Sequence, residues 1–218
     1  MNEQIELIRK INKSIVHEDG TIDSFDKQLI NLAGGIYDSR FPMVVDTRTD
    51  CLSYISDLFS ERPLTMMTST AVKIREKHDI GFAYVSRCKE LLESSILAFD
   101  SPKFQSSKIV LLDDFSDIGD PMIAICRTDK KLGYVDVNEI TSIYDRENFL
   151  SYMEKAYEAD CTFYIHDEKR TEQLINSFQF QVLDDLINAL SKNYGRQNFS
   201  KSQYENDIGF SELDDMEL

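Results

Sequence analysis

The spacing of apolar residues over the first sixty positions predicts helices. Isoleucines within Ile5–Ile15 recur every three or four residues, which places them on one face of an α-helix. The same periodicity predicts a short helix over Phe25–Leu32 and a third over Cys51–Phe59, with a short strand at Met43–Val45 between them. We interpret residues 1–62 as a helical N-terminal extension.

From residue 63 onward, short apolar runs separated by turn residues replace the helical spacing. Helices are predicted at Ala71–His78, Arg87–Glu93, Phe149–Tyr157 and Lys169–Ser177. The predicted strands are Ile96–Phe99, Lys108–Leu112, Met122–Arg127, Gly133–Val137 and Cys161–Ile165. Helices followed by a meander and more helices indicate an α+β fold. We therefore expect a small antiparallel sheet of about four to five strands with flanking helices over residues 63–192.

The C-terminal segment, residues 193–218, differs in composition from the rest of the chain. Its last fourteen residues are rich in Asp and Glu and contain neither Lys nor Arg. Such a segment buries too little apolar surface to fold alone, so we expect an acidic, flexible tail. The apolar residues of Phe210–Leu218 nevertheless recur at helical spacing. The tail therefore either stays solvated or orders on a basic, grooved partner.

The net charge of the chain restricts its partners. There are 39 acidic and 24 basic residues, which gives a formal charge of −15. A protein this acidic is repelled by phosphate backbones unless its basic residues gather on one face. The acidic surface either maintains solubility or contacts a host protein with a basic surface. The carboxylates expected to bind such a partner are Asp113, Asp114, Asp117, Asp120, Glu212, Asp214 and Asp215.

The sequence predicts neither a metal site nor a cofactor. The cysteines are widely separated, with no CxxC pair, and are expected to be mostly buried, unpaired thiols. The aspartates between residues 113 and 120 do not have the spacing of a calcium loop, and we interpret them as an exposed acidic turn. No apolar run is long enough for a membrane span, and the N-terminus has no secretory pattern. We therefore expect a cytoplasmic protein without a membrane partner.

Several local patterns occur in a fixed order between Pro63 and Ser177. They are Lys73–His78, Ala98–Ser101, the hairpin Ile109–Ile125, the segment Asn138–Phe149 with Ser-Ile-Tyr-Asp-Arg at its centre, and Phe163–Ile165 followed by Lys169-Arg170. This stretch resembles the MuF C-terminal domain family of phages and mobile elements. That family is similar to the barnase–EndoU–colicin–RelE group of small ribonuclease folds.

The resemblance implies candidate residues for metal-independent RNA cleavage. Such chemistry needs an acid or base near the 2′-hydroxyl and a cation or hydroxyl donor for the crowded phosphorus. By position, His78 would be the acid or base, Ser101 a phosphate-contacting hydroxyl and Arg146 the phosphate clamp. Lys73 and Lys77 would assist phosphate binding by their charge.

Two departures from the family pattern weaken this assignment. The chain has Thr70–Ala71 where family members often place a further histidine or lysine, and Asp145 where they have glycine. Structural roles also exist for the candidates. His78 suits a helix C-terminus because of the helix dipole, Ser101 precedes a proline and suits a turn, and Arg146 has acidic sequence neighbours.

Two functional hypotheses follow. The first is a phage- or mobile-element-encoded binding protein that modulates or inhibits a host protein, for example a defence nuclease in the manner of an anti-CRISPR. The alternative is a ribonuclease or toxin-type effector that uses His78, Ser101 and Arg146, so the prediction leaves open whether the chain is an enzyme. The oligomeric state also stays open, since the apolar face of Ile5–Ile15 suits either the chain's own core or a second copy.

Overall fold

The computed structural model describes residues 3–104, 106–177 and 198–200. Within these residues, eight strands form one mixed sheet with helices on both faces. The strands are β1 (Met43–Asp46), β2 (Leu64–Met66), β3 (Leu97–Asp100), β4 (Ser107–Phe115), β5 (Pro121–Leu132), β6 (Val135–Asp145), β7 (Phe163–Ile165) and β8 (Asn198–Phe199). The helices are α1 (Glu3–Ile11), α2 (Phe25–Ala33), α3 (Asp57–Ser60), α4 (Thr68–His78), α5 (Phe82–Val85), α6 (Cys88–Glu93), α7 (Phe149–Glu158) and α8 (Glu168–Ser177).

The strand order is β1-β2-β6-β5-β4-β3-β7-β8, in which β2 and β6 are parallel and the other neighbours antiparallel. The α+β class is thus confirmed. The predicted number of strands, four to five, was too small, and the sheet is mixed, not purely antiparallel. The predicted strand Gly133–Val137 continues as far as Asp145. The register of β6 shifts between Ile140 and Ser142 opposite β5, so Thr141 is an extra residue and the alternation of apolar positions reverses there.

Apolar residues cover both faces of the sheet. On one face, α2, α4, α5 and α6 pack against the largest core, which includes Leu64, Met66, Ile74 and Ile140. On the other face, α7 packs over β3, β4 and β7. Isoleucines of α1 form a smaller cluster with β1 and β6 on that second face. The predicted apolar face of the first helix therefore packs on the chain's own sheet.

Residues 1–62 contribute directly to this sheet. Strand β1 pairs with β2, so the proposed boundary at residue 62 separates two hydrogen-bonded strands. The prediction of a helix over Cys51–Phe59 was wrong in its extent. A 3₁₀ turn occupies Asp50–Leu52, and the side chain of Ser56 accepts a hydrogen bond from Leu58 N, which starts α3. A new N-cap inside the apolar pattern divides the predicted helix into two short turns.

Most of the predicted tail, residues 193–218, lies outside the described residues. From this segment the structure describes residues 198–200, of which Asn198–Phe199 pairs with β7 at the edge of the sheet. Within the described parts of the chain, no helix has the length and apolar character needed to cross a membrane.

Candidate binding surface at the hairpin end of the sheet

Three elements meet at one end of the sheet and enclose a groove. They are the C-terminus of α4, the turn between β4 and β5, and the last residues of β6. The pairing of Met122 with Asp145 brings the hairpin beside the end of β6, and α4 packs along β6. The groove has a volume of about 410 Å³. It is lined by His78, Asp79, Ile80, Gly81, Tyr84, Phe115, Ser116, Asp117, Ile118, Met122 and Asp145.

His78 occupies the rim of this groove. Its ring stacks on Tyr144, with 5.1 Å between the ring centroids and 19° between the planes. Burial and the charge of Lys73 lower the pKa of His78 below 6.5, against the opposing effect of Asp145. Although a helix C-terminus favours a cation, burial prevails here. The imidazole is therefore neutral at pH 7, which suits a base better than an acid.

Arg146 lies next to Tyr144 and stacks on α7. Its guanidinium carbon is 4.9 Å from the centroid of the Tyr152 ring, a cation–π geometry. The backbone N–H of Arg146 donates to Pro121 O at 2.9 Å, while its Nε is buried without a hydrogen-bond partner in the described structure. Among the described residues, no ion pair joins Arg146 to its acidic neighbours. Tyr144 is therefore near both residues: its ring stacks on His78, and the charge of Arg146 acts on its hydroxyl.

Ser101 lies at the opposite end of the strands. Tyr144 is level with Leu97 across β5 and β4, whereas Ser101 follows the other end of β3. The Ser101 hydroxyl is buried and accepts hydrogen bonds from the backbone N–H groups of Lys103 and Phe104, both at 3.3 Å. These contacts shape the turn after β3. Ser101 is thus not brought together with His78.

Lys73 and Lys77 are exposed on α4, and both charges contribute to the lowered pKa of His78. Neither side chain lines the groove. The two lysines are therefore near His78 but outside the cavity that it borders.

The predicted acidic turn is exposed beside the groove. Asp113 pairs with Arg170 of α8, at 2.8 Å between Oδ2 and NH1. Asp114 accepts the N–H of Phe115 at 2.9 Å, and Asp117 is exposed. Asp120 lines a second cavity, of about 280 Å³, on the other side of the hairpin. Carboxylates therefore face outward on both sides of the turn.

Two large apolar side chains stand among these carboxylates. Phe115 is 52% exposed and Ile118 is 81% exposed. The turn places Ile118 at its tip, where Gly119 adopts a φ of +88° that L-residues rarely tolerate. Exposed apolar residues ringed by polar groups are typical of protein interaction sites.

The charges that line the groove are acidic. Asp79, Asp117 and Asp145 border it, and no Lys or Arg is among its described lining residues. A phosphate backbone entering this groove would meet three carboxylates and a neutral imidazole. Charge complementarity therefore favours a cationic group over an anionic one.

Several residues of this surface were missed in the sequence reasoning. Tyr84, Phe115 and Ile118 gave no periodic signal, because they lie in a short helix and a polar turn. Tyr144 was present in the Ser-Ile-Tyr pattern but received no role. The tail carboxylates Glu212, Asp214 and Asp215 lie outside the described residues.

The part of the chain that the structure describes contains neither a cluster of metal-binding side chains nor an activated thiol. No group of three His, Cys, Asp or Glu side chains there could hold a metal ion. The four cysteines are unpaired, as predicted. Burial raises the pKa of every one of these thiols, so they are protonated near pH 7 and poor nucleophiles.

Comparison with known families supports the resemblance derived from the local patterns. Residues 69–172 match the family model of the phage MuF C-terminal domain. The match begins at the start of α4 and ends within α8, so it includes the hairpin, β6 and α7. Neither the curated proteins nor the solved structures gave a significant match. The relation to the small ribonuclease folds is not established by this match.

Proposed function

We propose, on the premise that residues 69–172 form a region similar to the phage MuF C-terminal domain, that this protein is a phage- or mobile-element-encoded binding protein. It engages a host protein through the acidic surface formed by the β4–β5 hairpin and the end of β6. The observation that carries this proposal is the groove itself, which combines exposed apolar side chains with carboxylates and lacks basic lining residues.

The partner is expected to present a basic surface. Proteins that bind nucleic acid, defence nucleases among them, have such surfaces because they must attract phosphate. An acidic protein that occupies a phosphate-binding surface would exclude the nucleic acid. Inhibition of the anti-CRISPR kind is thus one consequence of this binding mode.

Neutralising the hairpin carboxylates is expected to weaken binding to a basic protein. The variant Asp114→Asn/Asp117→Asn/Asp120→Asn retains the side-chain acceptors of the turn but removes three charges. Exposed ion pairs contribute about 0.2–1 kcal/mol each, so the affinity should fall by about tenfold at low salt. The measurement is a fluorescence titration with labelled protamine, an arginine-rich protein, at two salt concentrations.

A matched variant controls for overall charge. Glu3→Gln/Glu18→Gln/Glu61→Gln removes the same number of charges from exposed positions outside the hairpin. Its affinity for protamine should change by no more than about twofold. Equal losses in the two variants would mean that protamine senses only the net charge, which would contradict a localised binding surface.

A second candidate function is supported by one specific observation. His78, predicted as the acid or base, stacks on Tyr144, and the charge of Arg146, the predicted phosphate clamp, acts on the same residue. A neutral imidazole, a phenol and a guanidinium are among the chemical groups that metal-independent RNA cleavage needs. The position of Ser101 and the carboxylate of Asp145 oppose this alternative, which is why we place it second.

A further inference from the structure

The groove beside His78 has two walls of different origin. The connection Asp79–Gly81 forms one wall, and the hairpin turn Phe115–Ile118 forms the other. Tyr84 and Met122 also line the groove. A volume of about 410 Å³ is within the range of ligand pockets, about 300–1,000 Å³. The groove is therefore large enough for a few side chains of a bound segment.

The apolar part of the groove is unusually exposed. Ile118 projects from the turn with 81% of its surface accessible, and Phe115 is half exposed. Ile80, in the opposite wall, is partly buried against the main core. These three side chains offer apolar area that a partner could remove from water. The surrounding carboxylates require that the apolar group of the partner be accompanied by positive charge.

Tyr84 lines the groove, but its hydroxyl oxygen is buried. Burial and the nearby carboxylate of Asp114 raise the pKa of Tyr84, so the hydroxyl stays protonated. Recognition of a ligand therefore depends on the exposed apolar side chains and the carboxylates of the groove, and not on this hydroxyl.

We infer that this groove binds a short peptide segment of a partner protein in which an apolar residue stands next to Lys or Arg. The apolar side chain packs between Ile80, Phe115 and Ile118, while the cationic group lies beside Asp117 or Asp145. This inference rests on the proposed function and assigns it a location and a ligand chemistry.

The test uses the full chain and a fluorescein-labelled ten-residue peptide that alternates Arg with Leu. A peptide of equal charge that alternates Arg with Gly reports the electrostatic contribution alone. We expect anisotropy titrations to show the Leu-containing peptide binding at least about tenfold more tightly, because burial of one large aliphatic side chain contributes about 1.5–3 kcal/mol.

Two substitutions locate the binding site. Ile118→Ser should weaken binding of the Arg–Leu peptide by about tenfold, while Ile30→Ser should change it by no more than about twofold. Ile30 is a suitable control because it is 70% exposed and lies in a separate apolar groove.

The outcomes separate this inference from the proposed function. Equal effects of Ile118→Ser and Ile30→Ser, or equal affinities for the two peptides, would overturn the groove assignment. If neutralising Asp114, Asp117 and Asp120 still weakened protamine binding, the proposed function would stand without the groove. If the triple charge variant bound protamine as tightly as the wild type, and Ile118→Ser bound the Arg–Leu peptide as tightly as the wild type, both proposals would fail.

Discussion

Replacing Phe99 by alanine is expected to lower the free energy of unfolding by about 3–5 kcal/mol, as for other fully buried phenylalanines. Phe99 is completely buried at the centre of β3. Its ring centroid lies 5.2 Å from that of Phe163, 5.8 Å from Tyr152 and 6.0 Å from Phe149. The substitution therefore opens a cavity where β3, β7 and α7 meet, and it removes three aromatic contacts at once.

The effect of this substitution can be measured by urea denaturation followed by circular dichroism. Phe104→Ala is the matched control, because Phe104 lies in the loop after β3 with 67% of its surface exposed. Its effect should stay within about 0.5 kcal/mol. A loss below about 1 kcal/mol for Phe99→Ala, or equal losses for the two variants, would contradict the core described above.

Replacing Gln28 by alanine is expected to cost about 2–4 kcal/mol, because it leaves buried backbone groups without partners. Gln28 is fully buried in α2. Its Nε2 donates to Val44 O at 3.0 Å and to Asp23 O at 2.9 Å, and its Oε1 accepts from Val44 N at 2.9 Å. The side chain thus satisfies both backbone groups of Val44 and takes the place of a neighbouring strand at the edge of the sheet.

Hydrogen exchange gives a readout specific to this role. In Gln28→Ala, the amide hydrogen of Val44 should exchange much faster than in the wild type. The exchange rates of amides in the central strands β4 and β5 should rise only as far as the overall loss of stability requires. Gln173→Ala, on the exposed face of α8, is the control and should affect neither measurement. If Val44 stayed protected in Gln28→Ala, the bridging role would be refuted.

The sequence predicted those elements whose apolar pattern is local. The ends of α4 and α7 follow from periodicity and turn residues, and the structure places them close to where they were expected. The predicted strands Lys108–Leu112 and Met122–Arg127 lie within β4 and β5, but both strands are longer than predicted, since β4 continues to Phe115 and β5 to Leu132. The sequence pattern could not predict β2, which is only three residues long and pairs with β6, seventy-four positions further along the chain. Nor could it show that Gln28 closes the edge of β1, since one polar residue in an amphipathic helix carries no such signal.

The candidate site could be predicted only in part for a related reason. His78 and Arg146 both lie near Tyr144, because α4 packs along β6 and both residues lie at the same end of the sheet. Ser101 is separated from them by the length of the strands, a distance that local motifs do not encode. The sequence did contain the acidic turn, but the exposure of Phe115 and Ile118 beside it depends on the fold of the hairpin.

We propose that the hairpin end of the sheet is a protein-binding surface and not a nuclease centre. Incubation of the purified full chain with a fluorescent mixed-sequence RNA, without metal, tests this claim most directly. His78→Ala and Arg146→Ala are tested in parallel, with circular dichroism to establish that each protein is folded. We expect no cleavage by the wild-type protein in a preparation that binds protamine. Cleavage by the wild type that both substitutions abolish would contradict the account and establish the ribonuclease.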